Sequence, residues 1–148
     1  MVLNFVLAFF IPWLIAVLVF VEQPKIVLRV APFGSTVGFL FNAIGIHFDF
    51  WRVTPITKDA TFSTLPFNLG VYPVLVSLMV YLIEKWQKSP FLPIIIFTSV
   101  TTAAELCAVW LGWVTYSTDW NYLWTFVSYG IAFVLVYLYV LVLKWAEK

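Results

Sequence analysis

The sequence predicts an all-α integral membrane protein. It should be a bundle of five transmembrane helices with the N-terminus outside and the C-terminus cytoplasmic, a single domain over residues 1–148. Three observations carry this prediction. Hydrophobic residues make up 64% of the chain and charged residues only 10%, and the mean hydropathy of +1.02 lies far outside the range of soluble globular domains. Five apolar runs, at about 2–21, 26–48, 66–84, 91–117 and 120–144, each approach the roughly 20 residues a helix needs to cross a bilayer. The cations divide unevenly between the two sets of run ends. Lys25, Arg29, Lys85, Lys88, Lys144 and Lys148 fall on one side and only Arg52 and Lys58 on the other, and the cation-rich side is expected to face the cytoplasm.

The first run has no Lys or Arg before it, exceeds a signal-peptide core in length and is followed by no small-residue cleavage site, so a retained helix is expected, kinked at Pro12. Glu22-Gln23-Pro24-Lys25 reads as a tight turn, with Pro24 where a helix can begin. In the second run Arg29 stands one turn in, close enough to the end to snorkel. Further along, Ser35, Gly38, Asn42, Gly45 and Asp49 recur at helical spacing and form one narrow stripe. Lipid gives helices no hydrophobic reason to associate, so this stripe of small and polar residues, strengthened by Gly34-x-x-x-Gly38, marks the packed face. Phe48, Phe50 and Trp51 read as an aromatic belt, and 49–65 as a connection long enough to be functional or to lie along the interface.

The third run opens at Pro66 and has its seam at Gly70, Pro73, Ser77 and Tyr81. Pro73 is expected to bend it by leaving the Leu69 carbonyl without its helical partner. A charged turn over 84–89 precedes the fourth run, which starts at Pro90 and Pro93. After the turn Ser117-Thr118-Asp119, the fifth run carries its own polar seam at Asn121, Thr125, Ser128 and Ala132.

Glu105 stands out. It lies inside the fourth run, on the face shared by Thr98, Thr101, Thr102, Ala108 and Gly112. A carboxylic acid at the centre of a membrane helix costs about 2.5–3.5 kcal/mol on insertion scales, so it is expected to face the protein interior and to have a partner. If the helix continues to Tyr116, Glu105 lies roughly 16 Å below its outer end at about 1.5 Å per residue. The candidate ligand-binding set is Asn42, His47, Asp49, Asn68, Glu105, Asn121 and Trp124, with Glu105 the candidate catalytic acid. The three asparagines also read simply as interhelical hydrogen-bonding groups, His47 as an interfacial histidine and Glu105 as a neutral acid that fixes helix register. His47-x-Asp49 is too sparse to predict a metal, and no cofactor is expected. Cys107, the lone cysteine, can form no intrachain disulfide.

At Asn42-x-x-Gly45-x-His47-Phe48-x-Phe50-Trp51, Leu65-Pro66-x-Asn68-Leu69-Gly70-x-Tyr72-Pro73, Thr101-Thr102-x-x-Glu105 and Trp120-Asn121-x-x-Trp124-Thr125-Phe126-x-Ser128-Tyr129, the chain resembles an uncharacterised family of small multi-pass membrane proteins from spore-forming Bacillota. The resemblance covers nearly the full length and implies a bacterial plasma membrane, but brings no activity with it. A much weaker likeness, carried by Glu105, Gly112 and Tyr116 alone, is to carotenoid hydratase and lycopene cyclase membrane domains.

The expected partners are membrane lipids and a small amphipathic ligand. A net charge of +1 without a basic cluster points away from nucleic acid. The leading expectation is a binding module with an outward-opening polar pocket for a lipid-like molecule. A second is an acid-base enzyme acting on an isoprenoid-like substrate. A third, a proton- or ion-coupled transporter, would need a homo-oligomer, since five spans do not divide into two equal repeats.

Overall fold

The computed structural model describes residues 1–87 and 89–148; Lys88, one of the six cations counted above, lies outside them. It contains five helices long and apolar enough to cross a membrane: α1 (Val2–Glu22), α2 (Pro24–His47), α3 (Phe67–Trp86), α4 (Phe91–Trp110) and α5 (Tyr122–Ala146). Two short strands, β1 (Trp51–Val53) and β2 (Val114–Tyr116), pair antiparallel. The central helix is α3, which touches each of the other four.

Two prolines shape the contact between α1 and α3. Pro12 and Pro73 lack an N–H, so the turn before each widens to a π-helical one. Ile11 N–H reaches back to the Val6 carbonyl, and Tyr72 N–H to that of Phe67. The Leu69 carbonyl that Pro73 leaves without a helical donor accepts instead from the Trp13 indole at 2.8 Å, so the expected defect becomes an interhelical tie. Opposite it, the Ala8 carbonyl, stranded in the same way by Pro12, lies against the α-carbon of Gly70, where any side chain would strike backbone.

Between α2 and α3 the approach is equally close. An ideal Cβ on Gly38 would come within 2.6 Å of the Tyr72 ring, so the small-residue stripe does face a neighbouring helix. The apolar core fills the middle of the bundle and the half away from the ribbon's end, where Val30, Val37, Val76, Met79, Val80, Phe133 and Val136 interdigitate from α2, α3 and α5. In lipid such contacts stabilise through packing rather than through removal of water. At the end where α1, α3 and α5 finish, Arg29 does more than snorkel, pairing with Glu147 at 2.5 Å. Lys144 meets Glu84 at 3.1 Å, and Lys85 lies 3.8 Å from Glu22. These exposed pairs each contribute at most about 1 kcal/mol.

The expected helix over 91–117 is too long. It stops at Trp110; Gly112 takes φ +74°, a left-handed turn that glycine adopts at low cost, and the chain then doubles back as β2. The connection after α2 turns at Asp49, φ 55°, and runs into β1, with Trp51 opposite Tyr116, Arg52 opposite Thr115 and Val53 opposite Val114. Phe50 and Trp113 carbonyls extend the ladder by accepting from Ser117 and Thr54 N–H, both at 2.9 Å. Side chains alternate across the ribbon: Val53 and Val114 are buried and Trp51 and Tyr116 half-buried, while Arg52 and Thr115 are exposed. The ribbon thus caps the end of the bundle at which α2 and α4 finish and α3 and α5 begin. Asn4 of α1 joins the cap by donating to the Thr54 carbonyl at 2.8 Å.

Candidate functional site

Beneath the ribbon, the polar groups form two hydrogen-bonded chains. In the first, the Trp51 indole donates to Asn42 Oδ1 (3.1 Å), Asn42 Nδ2 to Asn68 Oδ1 (2.6 Å), Asn68 Nδ2 to Thr64 Oγ1 (3.0 Å), and Thr64 to the Thr61 carbonyl (2.8 Å). This chain runs from β1 through α2 and α3 to the single 3-10 turn Ala60–Thr64. Asn42, Asn68 and Thr64 are almost fully buried, so their mutual bonds remove polar groups that would otherwise be costly.

The second chain ends on Glu105. The Trp120 indole donates to Thr125 Oγ1 (2.8 Å), the Thr125 hydroxyl to the Tyr116 hydroxyl (2.8 Å), and Tyr116 to Glu105 Oε1 (2.5 Å). Tyr129 donates to Glu105 Oε2. An indole can only donate, which fixes the first step, and an ionised carboxyl can only accept, which fixes the last. Burial, and then the adjacent Glu105 carboxyl, push the Tyr116 phenol well up, so it remains a protonated donor.

Glu105 borders two cavities, of about 50 and 120 Å³. Asn42, Trp51, Tyr72 and Tyr129 also line both, so the polar cluster stands as a partition between them. The rest of the smaller cavity is an apolar slot between α2, α3 and α5, walled by Gly34, Val37, Val76, Ala132, Phe133 and Val136. The larger is backed by Phe67, Val71, Ala104, Ala108 and Val114.

Of the predicted ligand-binding residues, Asn42, Asn68 and Glu105 are gathered in this cluster, Asn42 and Glu105 lining both cavities. His47 is exposed and stands edge-on to Phe48. Asp49 is exposed and bound to Arg52 at 2.7 Å, and this hydrogen bond holds its carboxyl below the usual value. Asn121 caps α5, accepting from Leu123 N–H (2.9 Å) and Trp124 N–H (3.3 Å), and Trp124 is 53% exposed; neither lines the cavities. No group of three His, Cys, Asp or Glu among the described residues could hold a metal ion.

Tyr72, Tyr116, Tyr129 and Trp120 went unnamed as site residues, and Trp51 was assigned to a surface belt. Instead Trp51 turns inward, packing its ring over Gly45. Glu105 is also nearer the end of its helix than expected. Five residues separate it from Trp110, about 7.5 Å of rise, and Tyr116 comes back to touch it. A signal for Tyr129 was present: it follows Thr125 by four residues, one helical turn along the same seam. Comparison with known protein families, curated proteins and solved structures finds no match to this chain.

Proposed function

We propose that the protein is a multi-pass bacterial plasma-membrane protein, N-terminus outside and C-terminus cytoplasmic, that binds a lipid-like or small amphipathic ligand at Glu105. The observation that supports this reading best is the position of the acid. It stands at the polar end of an apolar slot, with both oxygens held by phenols that are themselves anchored on different elements. Such a site offers a fixed polar anchor and an apolar wall, the two features an amphipathic molecule requires. The orientation rests on the uneven division of cations, and the bacterial membrane on the resemblance to the Bacillota family.

A second reading has one observation in its favour. Trp51, Tyr72, Trp120 and Tyr129 line the same cavity as Glu105, and aromatic faces would stabilise positive charge developing on an apolar substrate that the acid protonates. The two readings separate on the fate of the ligand. Mass spectrometry of molecules co-purifying in mild detergent should show an amphiphile enriched with the wild-type protein and depleted with Glu105→Leu at matched folded content. No enrichment over an unrelated five-span protein would refute the binding reading, and release of a chemically altered ligand would favour the enzyme.

A further inference from the structure

Among the described residues Glu105 is the one carboxyl in the lining of either cavity. No Lys, Arg, His or other carboxyl among the described residues lines either one. The other ionisable groups there are the phenols of Tyr72 and Tyr129. Along the chain that begins at Trp120, the Tyr116 hydroxyl is already an acceptor from Thr125, so its own proton points to Glu105 Oε1. Tyr129 supplies a donor to Oε2. Donors aimed at both oxygens are what a carboxylate takes, since in that form the group only accepts. A carboxylate within the membrane needs compensating positive charge, and the protein supplies none in the lining.

The surrounding side chains indicate what would supply it. Phe41, Trp51, Tyr72, Trp120, Tyr129 and Phe133 line the smaller cavity with Glu105, so an acid and six aromatic residues share one small space. Aromatic faces attract cations, and quaternary or primary ammonium groups are recognised in this way elsewhere. The free volume of about 50 Å³, with the apolar slot between α2 and α5 included, matches a small head group rather than a large one.

We infer that the ligand is an amphipathic organic cation, whose ammonium group sits against Glu105 among these rings with its apolar tail along the α2–α5 slot. This rests on the binding reading proposed above and specifies its ligand class.

The test is saturable binding of radiolabelled decyltrimethylammonium to the full chain in non-ionic maltoside micelles, competed by decylammonium, decanol and decanoate. Decylammonium is expected to displace the label at least about tenfold more effectively than decanol, with decanoate weakest. Glu105→Gln, which keeps size and hydrogen-bonding capacity, should weaken label binding about tenfold or more. Because the competition series uses only wild-type protein, it remains decisive if that variant folds poorly. Displacement by decanol as effective as by decylammonium would overturn the cation assignment while leaving an amphiphile site in place. Absence of saturable label binding, together with no binding of labelled decanol, would overturn both.

Discussion

Gly70→Ala tests how α1 is held. A Cβ built on Gly70 would collide with the carbonyl oxygen of Ala8 and lie 2.8 Å from its carbonyl carbon, atoms that cannot rotate away as a side chain could. The helices must therefore separate. Overpacking of this kind costs about 1–3 kcal/mol, and losing the adjacent Trp13–Leu69 hydrogen bond adds about 1 kcal/mol. Alanine recovers about 1 kcal/mol through its better helix propensity, leaving a net loss of about 1–3 kcal/mol. Gly130→Ala is the matched control. It lies in the interior of α5, and the nearest atom to its new methyl would be Thr98 Cγ2 at 3.8 Å, ordinary contact distance. That variant should be neutral or more stable by up to about 1 kcal/mol. Both can be followed by titrating dodecyl sulfate into maltoside micelles and monitoring the loss of helical circular dichroism. If Gly70→Ala unfolds at the same dodecyl sulfate fraction as Gly130→Ala, the close crossing of α1 and α3 at their proline-widened turns is wrong.

Two further predictions concern packing and orientation. Gly38→Leu should drive α2 off the Tyr72 ring and lower the melting temperature in detergent, whereas Leu40→Ala, at an exposed position, should change it little; equal effects would move the packed stripe to another face. A reporter fused after Lys148 should be cytoplasmic and a cysteine placed within 54–62 should label from outside, so labelling only after permeabilisation would reverse the proposed topology.

How far the site could be read in advance depended on which physical signal each residue carries. Five helices follow from sustained hydropathy, which survives local error. Glu105 announces itself because an acid within an apolar run is costly anywhere but at a buried polar site, and Asn42 because it shares a stripe with glycines. The ribbon was hidden by the same hydropathy that revealed the helices. Leu111-Gly112-Trp113-Val114-Thr115-Tyr116 is apolar enough to prolong α4, and a three-residue strand is too short to display a period of two. Only Gly112, read as one more small residue on the packing face, marked the stop. Trp51 was missed for a different reason: composition identifies an aromatic residue near the membrane surface but not the direction in which it points. With the ribbon unread, Tyr116 has no route to Glu105, and the donor to its Oε1 stays out of view.

Trp120 limits how Glu105 can exchange its proton. Hydroxyls relay protons because each can receive one on a lone pair while releasing another, but an indole nitrogen in its ring has no lone pair free to receive one. The file of hydroxyls through Tyr116 and Thr125 therefore ends, beyond Thr125, on a group that closes it. It is a brace that orients the carboxyl, and a blind alley for proton traffic. One path by which a proton can reach or leave Glu105 leads through the cavities beside it, the space a bound ligand would fill. On that path a bound ligand and a moving proton would compete for the same space, without any moving part.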